Sequence, residues 1–450
     1  MEAFMDKAIK EKDLRQFGRV FDSSETAHVA MNAVVKNGIN ASALNSAAGA
    51  IYPRVFPIEV EAGEVCNQKK SGRCWMFASL NVMRIDVMKK LNLKNMELSQ
   101  SYPFFYDKLE RSNMFLETML ETLEEPLDGR LMAFLLQDPV GDGGQWDMFR
   151  SLIDKYGVVP QEIYPESQAS SNSRELHDWL TRKLRGWACE LRQRHEAGES
   201  VAALRASKEK MMEDVYRMLA ITLGRPPMSF TWEARDKDGH FVQVADITPQ
   251  DFFRKYVGWN LDDRITVINA PTADKPYHRT YTVKYLGNVE GGKYPVKYLN
   301  LPMEDLKALA VAQLRDGQTV WFGSDVDQFS DDKIGHLALD AMEVGRLFGV
   351  DFPMTKAQRL DYGESLMTHA MVITGVDLDE KGNPVRWKVE NSWGKEVGKD
   401  GFYVMSDEWF SEYAYQILLD RKYLSEEQRA ELDTKPKVLQ PWDPMGSLAF

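Results

Sequence analysis

Past Gly72 the apolar residues Met76, Leu80, Met83, Val87 and Leu91 recur at steps of four, three, four and four, the spacing of one helix face. The pattern predicts an amphipathic helix with Cys74 in its first turn. Residues 171–223 repeat that period twice, first as Leu176, Leu180, Leu184, Trp187 and Leu191, then as Met211, Val215, Met218 and Leu219. These stripes predict core faces of a helical module. Gly224-Arg225-Pro226-Pro227 breaks it, and the period changes to two. Segments 229–234 and 241–244 flank an Asp238-Gly239 turn, a strong hairpin signal. A second hairpin is expected where Tyr281, Val283 and Tyr285 alternate before Gly291-Gly292, with Tyr294, Val296 and Tyr298 after it. The shift from Leu/Met/Arg helices to Tyr/Val strands marks a module boundary near residue 228. In the last third, an apolar strand over 370–376 is followed by Val385, Trp387 and Val389 alternating with Arg386, Lys388 and Glu390. Residues 1–60 read as a charged helical start followed by a loop rich in Ala, Asn and Ser, with no chemistry assigned. Four aromatic residues within 102–106 are read as buried packing.

Composition narrows the class. A chain of 450 residues with 44% hydrophobic and 28% charged residues is that of an ordinary globular protein, long enough for more than one module. No run approaches a membrane span and the first residues lack a signal-peptide core, so a cytoplasmic location is expected and no membrane partner. Three cysteines, Cys66, Cys74 and Cys189, cannot all pair and are expected to be reduced. Neither C-x-x-C nor H-E-x-x-H occurs, so no metal and no cofactor is expected. The net charge of −12 makes nucleic acid an unlikely partner.

Candidate chemistry then centres on Cys74. Free N–H groups and the positive dipole end of a helix favour a thiolate in its first turn. The same N–H groups could hold a developing oxyanion, with the Gln68 side chain as second donor. Most lone cysteines are instead small buried hydrophobes, so Cys74 needs a base and a group to orient it. His369 and Asn391 supply both. The turn at Asp379-Glu380-Lys381-Gly382 is centred on 380, and a hairpin folded on it sets His369 directly across from Asn391. That register favours His369 over His336. Trp393 follows Asn391 closely enough to cover the amide and keep water away. Gly141-Asp142-Gly143-Gly144 could be a phosphate loop, but no Gly-Lys-Ser/Thr follows it.

Gln68, then Cys74-Trp75 six positions on, with His369 and Asn391-Ser392-Trp393-Gly394 later in the chain, resembles the papain-like cysteine peptidases. Ser71 stands where papain and the cathepsins have the first cysteine of their signature, and Gly141 where its disulfide partner would be. The resemblance implies that Gly143 and Gly144 line the substrate cleft. A gap of 295 residues from Cys74 to His369, against roughly 130 to 150 in papain, requires an insertion of about 150 residues. One subfamily fits: the bleomycin hydrolases and bacterial aminopeptidase C. They are similar to this chain at Ser71-Gly72-Arg73-Cys74-Trp75-Met76-Phe77, Gly141-Asp142-Gly143-Gly144-Gln145-Trp146, Val320-Trp321-Phe322-Gly323 and the tail from Trp442 to Ala449.

The resemblance implies an α+β fold: a two-lobe papain-like core over 1–106 and 302–450, a helical domain over 107–227 and a strand-rich hook domain over 228–301. It also implies a homohexamer and an aminopeptidase acting on peptides with free N-termini. In this plan Cys74 is the nucleophile, His369 the base, Asn391 its orienter and Gln68 an oxyanion donor. The arm 440–450 blocks the non-primed side of the cleft, with Ala449 and Phe450 at its end, and Phe450 is one residue longer than the working arm. An open-cleft endopeptidase, a silent scaffold and an acyltransferase are the competing readings.

Overall fold

The alternating pattern around His369 becomes the middle of a large mixed sheet. The computed structural model describes residues 8–48 and 53–449, so Phe450 lies outside the described residues. We label the strands used below β1 (Phe230–Arg235), β2 (Phe241–Ile247), β3 (Arg264–Ile268), β4 (Arg279–Val283), β5 (Tyr298–Asn300), β6 (Val320–Ser324), β7 (His369–Leu378), β8 (Pro384–Glu390), β9 (Phe402–Ser406), β10 (Ala414–Asp420) and β11 (Lys437–Leu439). One sheet runs β11-β4-β5-β3-β10-β6-β7-β8-β9, with short strands beyond β9 and beside β7. β7 is antiparallel to both β6 and β8. Its two faces enter different cores: Ala370 and Val372 join the one containing Cys74, Met371 and Ile373 the other. Period-two alternation in a strand buried on both sides therefore separates the two lobes of an α+β protein.

The helices used below are α1 (Glu11–Asp22), α2 (Glu25–Asn37), α3 (Cys74–Lys90), α4 (Ser101–Glu121), α5 (Trp146–Tyr156), α6 (Arg174–Glu196) and α7 (Val201–Leu223). The stripes on α6 and α7 are core faces as expected, with Leu176, Leu180, Leu184, Trp187, Leu191, Met211, Val215 and Leu219 all buried. α3 is more buried than an amphipathic helix, with fourteen of its seventeen residues inside. Polar Asn81 and Arg84 on its non-stripe faces are buried against other polar groups, which the apolar stripe alone could not reveal. The aromatic run before 107 opens α4, where Tyr102, Phe104 and Phe105 are buried.

Three expectations change. The loop expected in the first sixty residues contains α2, whose N-cap Ser24 accepts a hydrogen bond from the Ala27 N–H. The second hairpin is wider than expected. β4 and β5 pair at Tyr281↔Tyr298, but Tyr285 has a φ of 62° and leaves the strand, and neither Tyr294 nor Val296 is in one. Within 228–301 only the β1–β2 hairpin forms a sheet of its own, because β3, β4 and β5 continue the sheet that carries His369. Among the described residues no helix is long and apolar enough to cross a membrane.

Candidate active site

Cys74 is the first residue of α3, and its side chain is wholly buried. Its thiol meets the backbone N–H of Ala370, the residue after His369, as well as the N–H groups of Trp75 and its own backbone. α3 and β7 thus set the Cys74 thiol against the backbone of Ala370, next in the chain to His369. His369 Nε2 lies 2.8 Å from Asn391 Oδ1. With Nε2–H donating to the amide, Nδ1 is the nitrogen left for proton exchange. The contact is not the directly opposed pair that the turn centre implied. The β7–β8 register runs Val372↔Glu390 and Ile373↔Val389, two residues away from that expectation, and Asn391 lies just past the end of β8. The two side chains therefore meet diagonally, at a separation long side chains can bridge. Trp393 stacks at a tilt over the imidazole, ring centroids 4.8 Å apart.

Gln68 is held at both ends of its amide. Ser392 Oγ donates to Oε1 at 2.6 Å, and Nε2 donates to Ser71 O at 2.7 Å, leaving Nε2 a second hydrogen. The Gln68 N–H also donates to Ser392 O at 2.8 Å, so the donor loop and the Asn391 loop are joined along the backbone.

Burial dominates the electrostatics. It pushes the Cys74 thiol up to about 12 despite the N–H groups that favour its anion. It also pulls the His369 imidazole down to about 4 against the support of Asn391. The lowered thiol pKa expected from the helix terminus is outweighed. Each group is thereby held toward its neutral form.

The opposite wall is the glycine loop. Gly144 N–H donates to Ala449 O at 3.0 Å and Ala449 N–H donates to Gly144 O at 3.3 Å, an antiparallel bridge with the C-terminal arm. A Cβ at Gly144 would fall 2.4 Å from the Trp75 ring, so only glycine lets an extended chain lie against this wall. The Arg111 guanidinium donates to Gly143 O. The arm is fixed along its length. Gln145 Nε2 donates to Ser447 O at 2.7 Å, Ser447 Oγ to Met367 O at 2.8 Å, and Lys275 Nζ to Asp443 at 3.0 Å. Ala449 is fully buried.

Some supporting residues escaped the sequence reading. Asp142 accepts from Gly72 N–H at 3.1 Å, from Ser173 and from Lys108, tying the glycine loop to the start of α3. Burial works against that carboxylate, but Lys108, Ser173 and the Gly72 N–H hold it well below the usual range. Arg73 makes a two-pronged contact with Glu166 at 2.8 and 2.9 Å. Deeper on α3, Arg84 meets Glu390 at 2.7 Å and Asn81 reaches the same oxygen at 2.8 Å. Charged residues inside apolar runs are the only sequence sign of these pairs; the partners lie far away along the chain. Cys66 is buried beside Arg84, Cys189 is exposed, and all three thiols are free.

Known proteins are similar to this chain along most of its length. Aminopeptidase C of Streptococcus thermophilus is 50% identical over 93% of this chain and 94% of its own length. Human bleomycin hydrolase is 44% identical over 86% of this chain and 87% of its own. A crystal structure of pepw from Lactobacillus rhamnosis superposes with a TM-score of 0.97 at 51% identity, covering 99% of this chain and all of that one. The model of the Peptidase C1-like family matches residues 8–446, and the chain belongs to that family.

Proposed function

We propose that this protein is a cysteine aminopeptidase that removes N-terminal residues from peptides. The observation that carries the reading is the bridge between Ala449 and Gly144. The arm takes the strand position a peptide would need on the non-primed side, so only about one substrate residue fits between its end and Cys74. A carboxylate at the arm's end, with a pKa of about 3.3 to 3.7, is an anion at neutral pH and attracts a substrate ammonium. An N-acetylated peptide offers no such charge and leaves the carboxylate unpaired.

In this reading the Cys74 proton passes to His369 Nδ1 and the thiolate attacks the first carbonyl carbon. The oxyanion is held by the Cys74 N–H and the remaining Gln68 Nε2 hydrogen. The imidazolium gives its proton to the departing amine as the C–N bond breaks. Water, deprotonated by His369, then attacks the thioester and releases the amino acid and the Cys74 thiol. Asn391 holds the imidazole in the tautomer this sequence needs.

Residue position along the arm matters because each residue spans up to about 3.3 to 3.6 Å. Phe450 extends past Ala449, and we infer that it is trimmed to give the working arm; mass spectrometry of the purified protein tests this. We also propose a cytoplasmic homohexamer. Its support is the family likeness and the exposed Leu14, Phe17, Val20, Val29 and Val35 on α1 and α2, helices with no buried residue. Sedimentation would reveal a monomer if that is wrong.

The deciding experiment measures aminoacyl and N-blocked fluorogenic peptides side by side. Free N-termini should be strongly preferred, and deleting residues 445–450 should abolish that preference and admit blocked peptides. Equal cleavage of both by the intact enzyme would favour the open-cleft endopeptidase.

A further inference from the structure

The arm also fixes where a substrate's first side chain points. Ala449 is paired with Gly144, while its neighbour Leu448 lies on the wall of a cavity of about 790 Å3. Side chains alternate along an extended chain, so a substrate residue placed beyond Ala449 of the trimmed arm would project to the same side as Leu448. That position belongs to the substrate's N-terminal residue. The cavity is bounded by Gln68 and Gly72 on the Cys74 side and by Gly143 on the other. Its volume is within the roughly 300–1,000 Å3 of small-molecule sites, ample for any side chain.

The charges on its wall are unequal. Asp138 is paired with His177 at 2.7 Å and Asp142 with Lys108 at 2.6 Å. The Arg111 guanidinium is committed to Asp107 at 2.8 Å, and Arg174 is 4.0 Å from Asp178. Lys69, Lys70 and Lys284 line the same cavity, and among the described residues none of the three has a salt bridge. They approach from two sides, the first two from the loop before α3 and the third from the end of β4. In a chain of net charge −12 this is a local reversal of sign. Among the described residues no carboxylate is paired with these three cations, so an anion entering the cavity meets an excess of positive charge.

We propose that this cavity receives the substrate's N-terminal side chain and selects acidic ones, so that peptides beginning with Glu or Asp are preferred. The proposal rests on the aminopeptidase reading. Each pairing is partly exposed and modest, and together they favour the acidic side chain by about tenfold.

Glutamyl and glutaminyl 7-amido-4-methylcoumarin separate charge from shape. For the intact enzyme the ratio of kcat/KM, glutamyl over glutaminyl, should be about ten at low salt. It should fall toward one as salt rises from about 0.01 to 1 M and the Debye length shrinks from about 30 to 3 Å. The Lys69→Gln/Lys70→Gln/Lys284→Gln variant should show the lower ratio at low salt. Lys284→Gln alone should give an intermediate value, and the salt titration needs no variant at all. A ratio of one or below for the intact enzyme, or one indifferent to salt, overturns the proposal while leaving the aminopeptidase reading in place. Cleavage of blocked peptides with neither aminoacyl compound turned over would overturn both.

Discussion

Two buried polar clusters join α3 to the same strand pair, and they use burial in opposite ways. At the helix start, Cys74 meets β7, where His369 is bonded to Asn391; each group is pushed toward its neutral form. Seven and ten residues further on, Asn81 and Arg84 meet Glu390, the residue before Asn391. There the Arg84 guanidinium and the carboxylate share an interior site, and burial drives the Glu390 carboxyl up to about 7 even with Arg84 beside it. In the proposed mechanism the first cluster creates a charge pair and dissolves it by moving one proton. The second has no such freedom: removing either partner strands the other in a low-dielectric site. One cluster should be dispensable for folding and indispensable for turnover, and the other the reverse.

The largest effect that could break this contrast is in the first cluster. Cys74→Ala should reduce turnover roughly 10⁴- to 10⁶-fold. Its thermal midpoint should match that of the parent, because no charge is stranded. Turnover within a factor of ten of the parent would remove Cys74 from the mechanism. In the second cluster, Arg84→Met should cost about 3–5 kcal/mol in urea unfolding by leaving Glu390 buried without its cation. Adding Glu390→Leu should recover most of that loss, since a buried pair replaced by apolar residues is often neutral. An Arg84→Met protein as stable as the parent would mean the pair is not what locks α3 to β8.

The same contrast explains what could be read in advance. The positions of Cys74, His369 and Asn391 were legible because each sits at a local signal, respectively a helix start, a strand start and the end of an alternating strand, whereas Gln68, in the loop before α3, was singled out by its spacing from Cys74. The stripes on α6 and α7 were legible for the same reason. Arg84 and Glu390 were not, because a charged residue within an apolar run says that a partner exists without naming it. The two-residue error in the His369–Asn391 register has a similar origin. The chain shows the turn's residues but not its centre: the Asp379 N–H bonds to Asn383 O and Leu378 pairs with Pro384, so the hairpin turns about 381 rather than 380, and the shifts at Asp377/Leu378 and Ile373/Gly375 cancel. The assignment of β3, β4 and β5 to the central sheet depends on pairing with β10, more than a hundred residues later.

Gln68 sharpens the comparison on the catalytic side. Gln68→Ala should lower kcat roughly 10²- to 10³-fold with KM little changed, the signature of a donor used in the transition state. Ser392→Ala should produce a smaller loss of the same kind, because it frees Gln68 Oε1 while leaving the Nε2 bond to Ser71 O. A rise in KM alone for Gln68→Ala would assign the amide to substrate binding instead.

The smallest effect tests whether burial alone governs the base. In Cys74→Ala the imidazole of His369 has no thiol to exchange with and must titrate by itself. Its pKa should lie near 4, well below the ordinary 6.5, as followed by the NMR shift of its ring protons. Adding Asn391→Ala should lower it further, because that bond supports the charged form. The linkage has a definite sign. Between pH 6.5 and 4 the unfolded chain binds a proton at this position that the folded one refuses, so stability is present above 6.5 and is lost as the pH falls. A shift from 6.5 to about 4 corresponds to about 3 kcal/mol. Glu390 changes stability in the opposite direction over an overlapping range, since its raised pKa makes the folded protein bind more protons there. The comparison must therefore be between Cys74→Ala and Cys74→Ala/His369→Gln, in which the Glu390 contribution cancels. From pH 7 to pH 4 the first should lose about 3 kcal/mol more than the second. Equal losses, or a ring that titrates at 6.5 without Cys74, would show that burial does not hold His369 neutral.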